Sequence, residues 1–183
     1  MTNEYAQLLE AVFFAAEKHC NQRRKNEEAS PYINHPIQVA KILATIGGVT
    51  DINVLCAAVL HDTIEDTKTT GPELEARFGA EVRGLVEEVT DDKSLPKEVR
   101  KKLQVEHASS LSKSAKLIKL GDKISNAGDV TENPPKDWPF QRRVDYLTWT
   151  ELVVARLRGT NAALEKCFDD TIARGRLALG ERS

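Results

Sequence analysis

Apolar residues along this chain recur three and four positions apart and nowhere alternate for long. Almost every element it can form is therefore a helix. Leu8, Leu9, Val12, Phe13 and Ala16 mark a first helix from about Asn3 to Cys20, ended by the polar run Asn21 to Ser30 and by Pro31. Pro36 fits the first turn of a second helix, from His35 to about Ile46, which stops at Gly47-Gly48. Thr50 or Asp51 can cap a third. Pro72 opens a short helix ending near Phe78-Gly79, and Val82 to Val89 reads as another. Pro96 opens a charged helix through His107, and Ser114 begins an apolar one bearing Asp122. Beyond the proline-rich stretch Asn133 to Pro139 lie helices from about Gln141 to Arg158 and Asn161 to Arg174, parted by Gly159. The expectation is an all-α bundle of eight to ten helices forming one domain over residues 1–183.

Composition narrows the function more than the fold. Net charge is −2, from 26 basic and 28 acidic residues, so the chain as a whole has no pull toward nucleic acid or an anionic membrane. Attraction for phosphate must come from a local patch. No run of about 18 apolar residues exists to span a bilayer, and Met1 to Glu10 lacks the apolar stretch of a signal peptide. The cysteines, Cys20, Cys56 and Cys167, are scattered and odd in number, which suits a reducing cytoplasm. Cys20 and Cys56 fall in apolar helical stretches and are expected to be buried. No heptad or surplus apolar stripe specifies an oligomeric state.

Chemistry concentrates in the run AAVLHDTIEDT, where His61, Asp62, Glu65 and Asp66 follow a strongly apolar segment. If the third helix continues through it, His61 lies near Glu65 and Asp62 near Asp66. His35, stiffened between Pro31 and Pro36, joins them if the second and third helices pack as a pair. Asp122 interrupts the apolar face KLIKLGDKI, where an unpaired carboxylate would cost several kcal/mol if buried. Two histidines with two carboxylates favour Mn, Fe or Zn over Ca. Each residue alone has an ordinary structural role; the ordered set is what points to a metal. His19, at a helix end, complements the dipole and is a weaker candidate, and His107 reads as a surface residue.

The ordered segments QRRK, PYINHP, HDTIED, EVTDDKS, VRKKLQ and KLGDKISN resemble the hydrolase domain of the RelA/SpoT homologue family. More narrowly, the chain is similar to the small stand-alone hydrolases of that family, among them the metazoan type. The resemblance implies an HD-type phosphohydrolase with one Mn2+ per chain, or Zn2+ or Fe2+, on His35, His61, Asp62 and Asp122. It implies removal of the 3′-pyrophosphate from ppGpp and pppGpp, leaving GDP or GTP, with the 2′-phosphate of NADPH as an alternative substrate. It makes Glu65 and Asp66 the catalytic carboxylates and Arg24 and Lys25 a nucleotide-contacting pair. Asn126, four residues after Asp122, and Tyr146 with Arg142 complete the expected substrate contacts.

Two positions depart from the family pattern. Gly121 precedes Asp122 where alanine is usual, and Gly128 stands where the family has arginine. Glycine inside a helix costs about 1 kcal/mol relative to alanine. The expectation is a looser helix that ends early, with altered substrate affinity rather than lost activity.

Overall fold

The structure, a computed structural model, describes residues 3–180. Among these are nine α-helices and one short 3-10 turn, with no strand. Their starts follow the capping chemistry. Asn3 caps α1 (Glu4–Lys18), and Asp51 caps α3 (Ile52–Leu60) through bonds from Asn53 and Val54 amides. α2 runs Asn34–Thr45 between them. A four-residue α4 (Thr63–Asp66) follows α3 at once. Thr70 caps α5 (Gly71–Val89), which bends at Gly79, where φ is 88° and ψ 166°. The two short helices expected around Gly79 are thus one element with a glycine kink.

α6 (Lys97–His107) begins after Pro96 and passes into the 3-10 turn Ala108–Ser110. It contributes no fully buried residue, although it walls one side of a cleft of about 470 Å³. Its ties to α8 (Phe140–Ala155) run through Trp149, whose indole N–H donates to the Lys101 carbonyl at 3.1 Å. The Lys101 ammonium lies 4.8 Å from the same ring centre.

The middle of the molecule is α7 (Lys113–Glu132), capped by Ser112 and packed against α2, α3, α5, α8 and α9 (Ala162–Ala178). Around it sit Leu43, Val54 to Leu60, Val86, Ile118, Leu120, Leu147 and Phe168. With few aromatics available, this core is built largely from aliphatic side chains.

α7 does not end early: it continues to Glu132, four residues beyond Gly128. Gly121 is not a loosening either. A methyl group there would stand 3.0 Å from Leu43 Cδ2 and 3.1 Å from Val39 Cγ1. The missing side chain is what lets α2 lie so close against α7. Val39 and Leu43 are four and eight residues beyond His35 and so share its face of α2. The close approach therefore sets His35 beside Asp122. Gly128 is different, since a methyl there meets nothing within 4 Å. Gly128→Ala should accordingly raise stability by about 1 kcal/mol, or roughly 2–4 °C in melting temperature. Gly121→Ala should give no such gain; thermal melts of the two variants side by side provide the check.

Cys56 is buried as expected, but Cys20 is exposed. α1 stops at Lys18 with His19 as its cap, so Cys20 leaves the helix face and turns to solvent.

Candidate metal centre and cleft

The helix expected to run through HDTIED breaks. α3 ends at Leu60, and His61 and Asp62 form a turn before α4. Thr63 is buried with its hydroxyl on the Leu60 carbonyl at 2.6 Å, which closes the broken end. The pairing of His61 with Glu65 and of Asp62 with Asp66 on a shared face is replaced by a division. His61 and Asp62 turn toward α2 and α7, whereas Glu65 and Asp66 face cations.

His35 Nε2 lies 3.2 Å from Asp122 Oδ1 and 3.7 Å from Asp62 Oδ2. His61 Nε2 lies 3.1 Å from Asp62 Oδ2 and 3.8 Å from Asp122 Oδ1. Four donors placed about 2.0–2.2 Å from one centre stand roughly 3–4 Å apart, so the set fits a transition-metal ion. The donor atoms of His35, His61 and Asp62 all lie within 4.8 Å of one another.

The nitrogens face the right way. His35 Nδ1 is 3.0 Å from the Ser125 hydroxyl, and His61 Nδ1 donates to the Ala58 carbonyl at 2.8 Å. Those contacts leave each Nε2 to supply a lone pair. His61 Nε2 is buried and forms no hydrogen bond, despite the proximity of Asp62. A buried nitrogen left open is what a ligand position requires. Tyr32 donates its hydroxyl to Asp62 Oδ2 at 2.7 Å, and Asn126 and Lys123 bond the Asp122 carboxylate at 2.5 and 3.0 Å.

Electrostatics match. Burial works against ionised Asp62 and Asp122, but His61 at the first and Lys123 at the second hold both well below the usual carboxylate range. Burial likewise opposes charge on His61, yet Asp62 and Asp122 push it up to about 9. An ion bound here would compete with a proton for Nε2. Ser125→Ala removes the hydroxyl that orients His35 and should weaken metal affinity about 10- to 100-fold, read by competition with a chelator.

Glu65 sits a step away from the four candidate ligands. Burial, then the charges of Asp62 and Asp91, raise its pKa above the ordinary glutamate value. Its Oε1 lies 3.5 Å from Arg100 and 3.9 Å from Lys93, and Oε2 accepts from the Asp91 amide at 3.2 Å. Asp66 pairs with Lys93 and accepts from Gln22 at 2.8 Å.

The four candidate ligands and Glu65 open into a cleft of about 470 Å³ whose lining carries eight lysines and arginines against four carboxylates, whereas Asp66 lines the lobe beside it. Lys97, Arg100, Lys101 and Gln104 come from one face of α6, spaced three and four apart, a pattern visible in the sequence but not singled out there. Lys119, Lys123 and Asn126 form the matching stripe on α7. A second lobe of about 410 Å³ adjoins it and shares Lys25, Tyr32, Asn126, Trp138 and Tyr146.

The remaining expected contacts also line these lobes. Lys25 is exposed at their junction. Arg24 lies in the second lobe, paired with Asp129, 3.1 Å from Asn126 Oδ1 and 5.6 Å from the Tyr32 ring centre. Arg142 lies over Trp138 at 4.4 Å, and Tyr146 stands between Trp138 and Trp149 at 5.4 Å from each. Tyr32, Trp138 and Trp149 were not foreseen; Tyr32 sits inside the quoted segment PYINHP, and the tryptophans carry no spacing signal. His107 is exposed, as expected, and His19 lies behind the site rather than among the ligands.

The helical bundle and its histidine–aspartate centre define the class: the chain belongs to the HD domain family, whose model matches residues 11–159. The RelA/SpoT resemblance holds over most of the chain. It is 57% identical over 168 residues to the human guanosine-3′,5′-bis(diphosphate) 3′-pyrophosphohydrolase MESH1, covering 92% of this chain and 94% of that protein. Against the Xenopus tropicalis protein of the same name, identity is 55% over 169 residues with the same coverage. A solved structure of a metazoan SpoT orthologue, described as hydrolysing ppGpp with a role in starvation responses, superposes with a TM-score of 0.90. That pair is 48% identical, covering 92% of this chain and 95% of the other. No helix among the described residues is long and apolar enough to cross a membrane.

Proposed function

We propose that the protein is a manganese-dependent 3′-pyrophosphohydrolase of ppGpp and pppGpp, a single hydrolase domain over residues 1–183. The observation that carries this reading is the His35–His61–Asp62 cluster, with Asp122 3.2 Å from His35, set in the wall of a cleft with twice as many cations as carboxylates. Such a cleft favours a ligand bearing several phosphates, and the human and frog relatives bear that activity in their names.

His35, His61, Asp62 and Asp122 would hold the ion. A divalent ion there supplies Lewis acidity, acidifying water and offsetting charge on phosphoryl oxygens. The water oxygen bonds to the phosphorus carried by the ribose 3′-oxygen, and the phosphorus–oxygen bond to the ribose breaks. The departing 3′-oxygen takes a proton, and pyrophosphate leaves. In this reading Glu65, lining the cleft, and Asp66, lining the second lobe, take and give those protons. Lys97, Lys101 and Arg142 face the phosphates, with Lys25 at the lobe junction. Arg24, Tyr146 and Asn126 serve the nucleoside, Arg24 through its planar guanidinium.

Purified protein with Mn2+ should release pyrophosphate from ppGpp and stop on addition of a chelator. Orthophosphate from NADPH, with no pyrophosphate from ppGpp, would instead assign a 2′-phosphatase; the second lobe, walled by Tyr32, Trp138 and Tyr146, has aromatic faces for a further ring. Inactivity of metal-loaded protein on ppGpp, pppGpp and NADPH alike would leave a nucleotide-binding module.

A further inference from the structure

From Asp66 a polar chain runs through Gln22, on the wall of the second lobe, to a buried histidine, and none of the chemistry above employs it. His19, the cap of α1, is only 2% exposed, and its Nδ1 lies 2.7 Å from Gln22 Oε1. Gln22 Nε2 in turn donates to Asp66 Oδ2 at 2.8 Å. The polarity of this chain has one solution. An ionised carboxylate only accepts, so the amide must turn its NH2 toward Asp66 and its carbonyl toward His19. A carbonyl also only accepts, so His19 carries its hydrogen on Nδ1. The other Asp66 oxygen meets Lys93, so both oxygens of this carboxylate face donors.

The same imidazole serves a second carboxylate. Its ring lies against Tyr32, with centres 4.9 Å apart and planes at 37°, and Tyr32 is the donor to Asp62 Oδ2. The far nitrogen, His19 Nε2, is buried without a hydrogen-bond partner. An apolar ring in that place would fill the space without leaving a polar atom unpaired. What it would not supply is a donor for Gln22.

We infer that Gln22, oriented by His19, is a positioning residue that fixes the Asp66 carboxylate on the wall of the second lobe. The imidazole at the same time braces Tyr32 and, through it, the ligand Asp62. The inference rests on the pyrophosphohydrolase reading of the site. Gln22 touches no reacting atom in this role, and it acts through Asp66. Its backbone is held separately, by the Tyr32 amide and the Arg23 guanidinium on its carbonyl. The side chain can therefore be changed with the turn left in place.

Two substitutions and one spectrum test it. Gln22→Met keeps the length but removes both bonds; kcat for ppGpp should fall roughly 10- to 100-fold with KM, Mn2+ stoichiometry and melting temperature little changed. Gln22→Glu places a carboxylate between His19 and Asp66, with Lys93 beyond. When protonated, that group again donates to Asp66, so its activity relative to wild type should climb as pH falls. A merely structural role predicts a flat ratio. In 15N-histidine spectra of the wild type, neutral His19 should carry its proton on Nδ1. A proton on Nε2, a Gln22→Met kcat within twofold of wild type, or a flat Gln22→Glu ratio each overturns the inference. Wild type that releases no pyrophosphate sinks the functional reading instead, and the His19 tautomer still reports whether the chain exists.

Discussion

His61→Ala is expected to lose bound manganese and pyrophosphate release together while the bundle stays folded. Loss of an outer hydrogen bond to a metal ligand costs about 10- to 100-fold, so removal of a ligand itself should exceed that and bring turnover to background. Three features make His61 the most sensitive of the four. It sits at the break between α3 and α4, its Nδ1 is already committed to the Ala58 carbonyl, and its buried Nε2 makes no hydrogen bond. Metal content by elemental analysis, product release and a melting curve on one preparation separate the outcomes. Full activity in metal-replete His61→Ala would falsify the assignment of the centre.

The second large effect concerns Glu65→Gln. Proton transfer by a positioned side chain contributes about 10²- to 10⁴-fold, and a loss in that range is expected here. The wild-type pH–rate profile should contain a step above the ordinary glutamate range, because burial and then Asp62 and Asp91 raise the Glu65 pKa. The variant should lack that step. Stability should move in the opposite direction from activity. A group whose pKa is higher folded than unfolded favours folding below its unfolded pKa of about 4.3, and that contribution is lost as pH rises through the folded value. At neutral pH ionised Glu65 therefore opposes folding, and the neutral amide should leave the metal-free protein as stable or more so. The gain should vanish in acid. A destabilised variant at pH 7 with wild-type kcat would contradict both halves.

Much of this site is written in local sequence, and the limits of that reading have physical causes. Asn3, Asp51, Pro72 and Pro96 mark helix starts because capping needs only the few residues beside them. His35, His61, Asp62 and Asp122 stand out because polar groups between apolar runs need partners, and those runs pack together. The break after Leu60 could not be read, as no glycine or proline marks it; a buried threonine hydroxyl closes it instead. The Arg24–Asp129 pair joins residues 105 positions apart and leaves no periodic trace. Gly121 was legible as a residue but not as a contact. Its cost inside a helix is local, whereas its use, the approach of α2 to α7, exists only once both are placed.

The thin anchoring of α6 gives the cleft a property that its charge alone would not. Lys97 and Lys101 repel each other on a helix that has no fully buried residue and packs only Val105 against the core. With no fully buried residue, α6 is expected to open more often than the helices around α7, which hydrogen exchange of its amides would read. A polyanion lying across those side chains removes the repulsion and holds the helix down. Slower exchange of the α6 amides on addition of ppGpp is the expected sign that part of the binding energy goes into holding this wall in place.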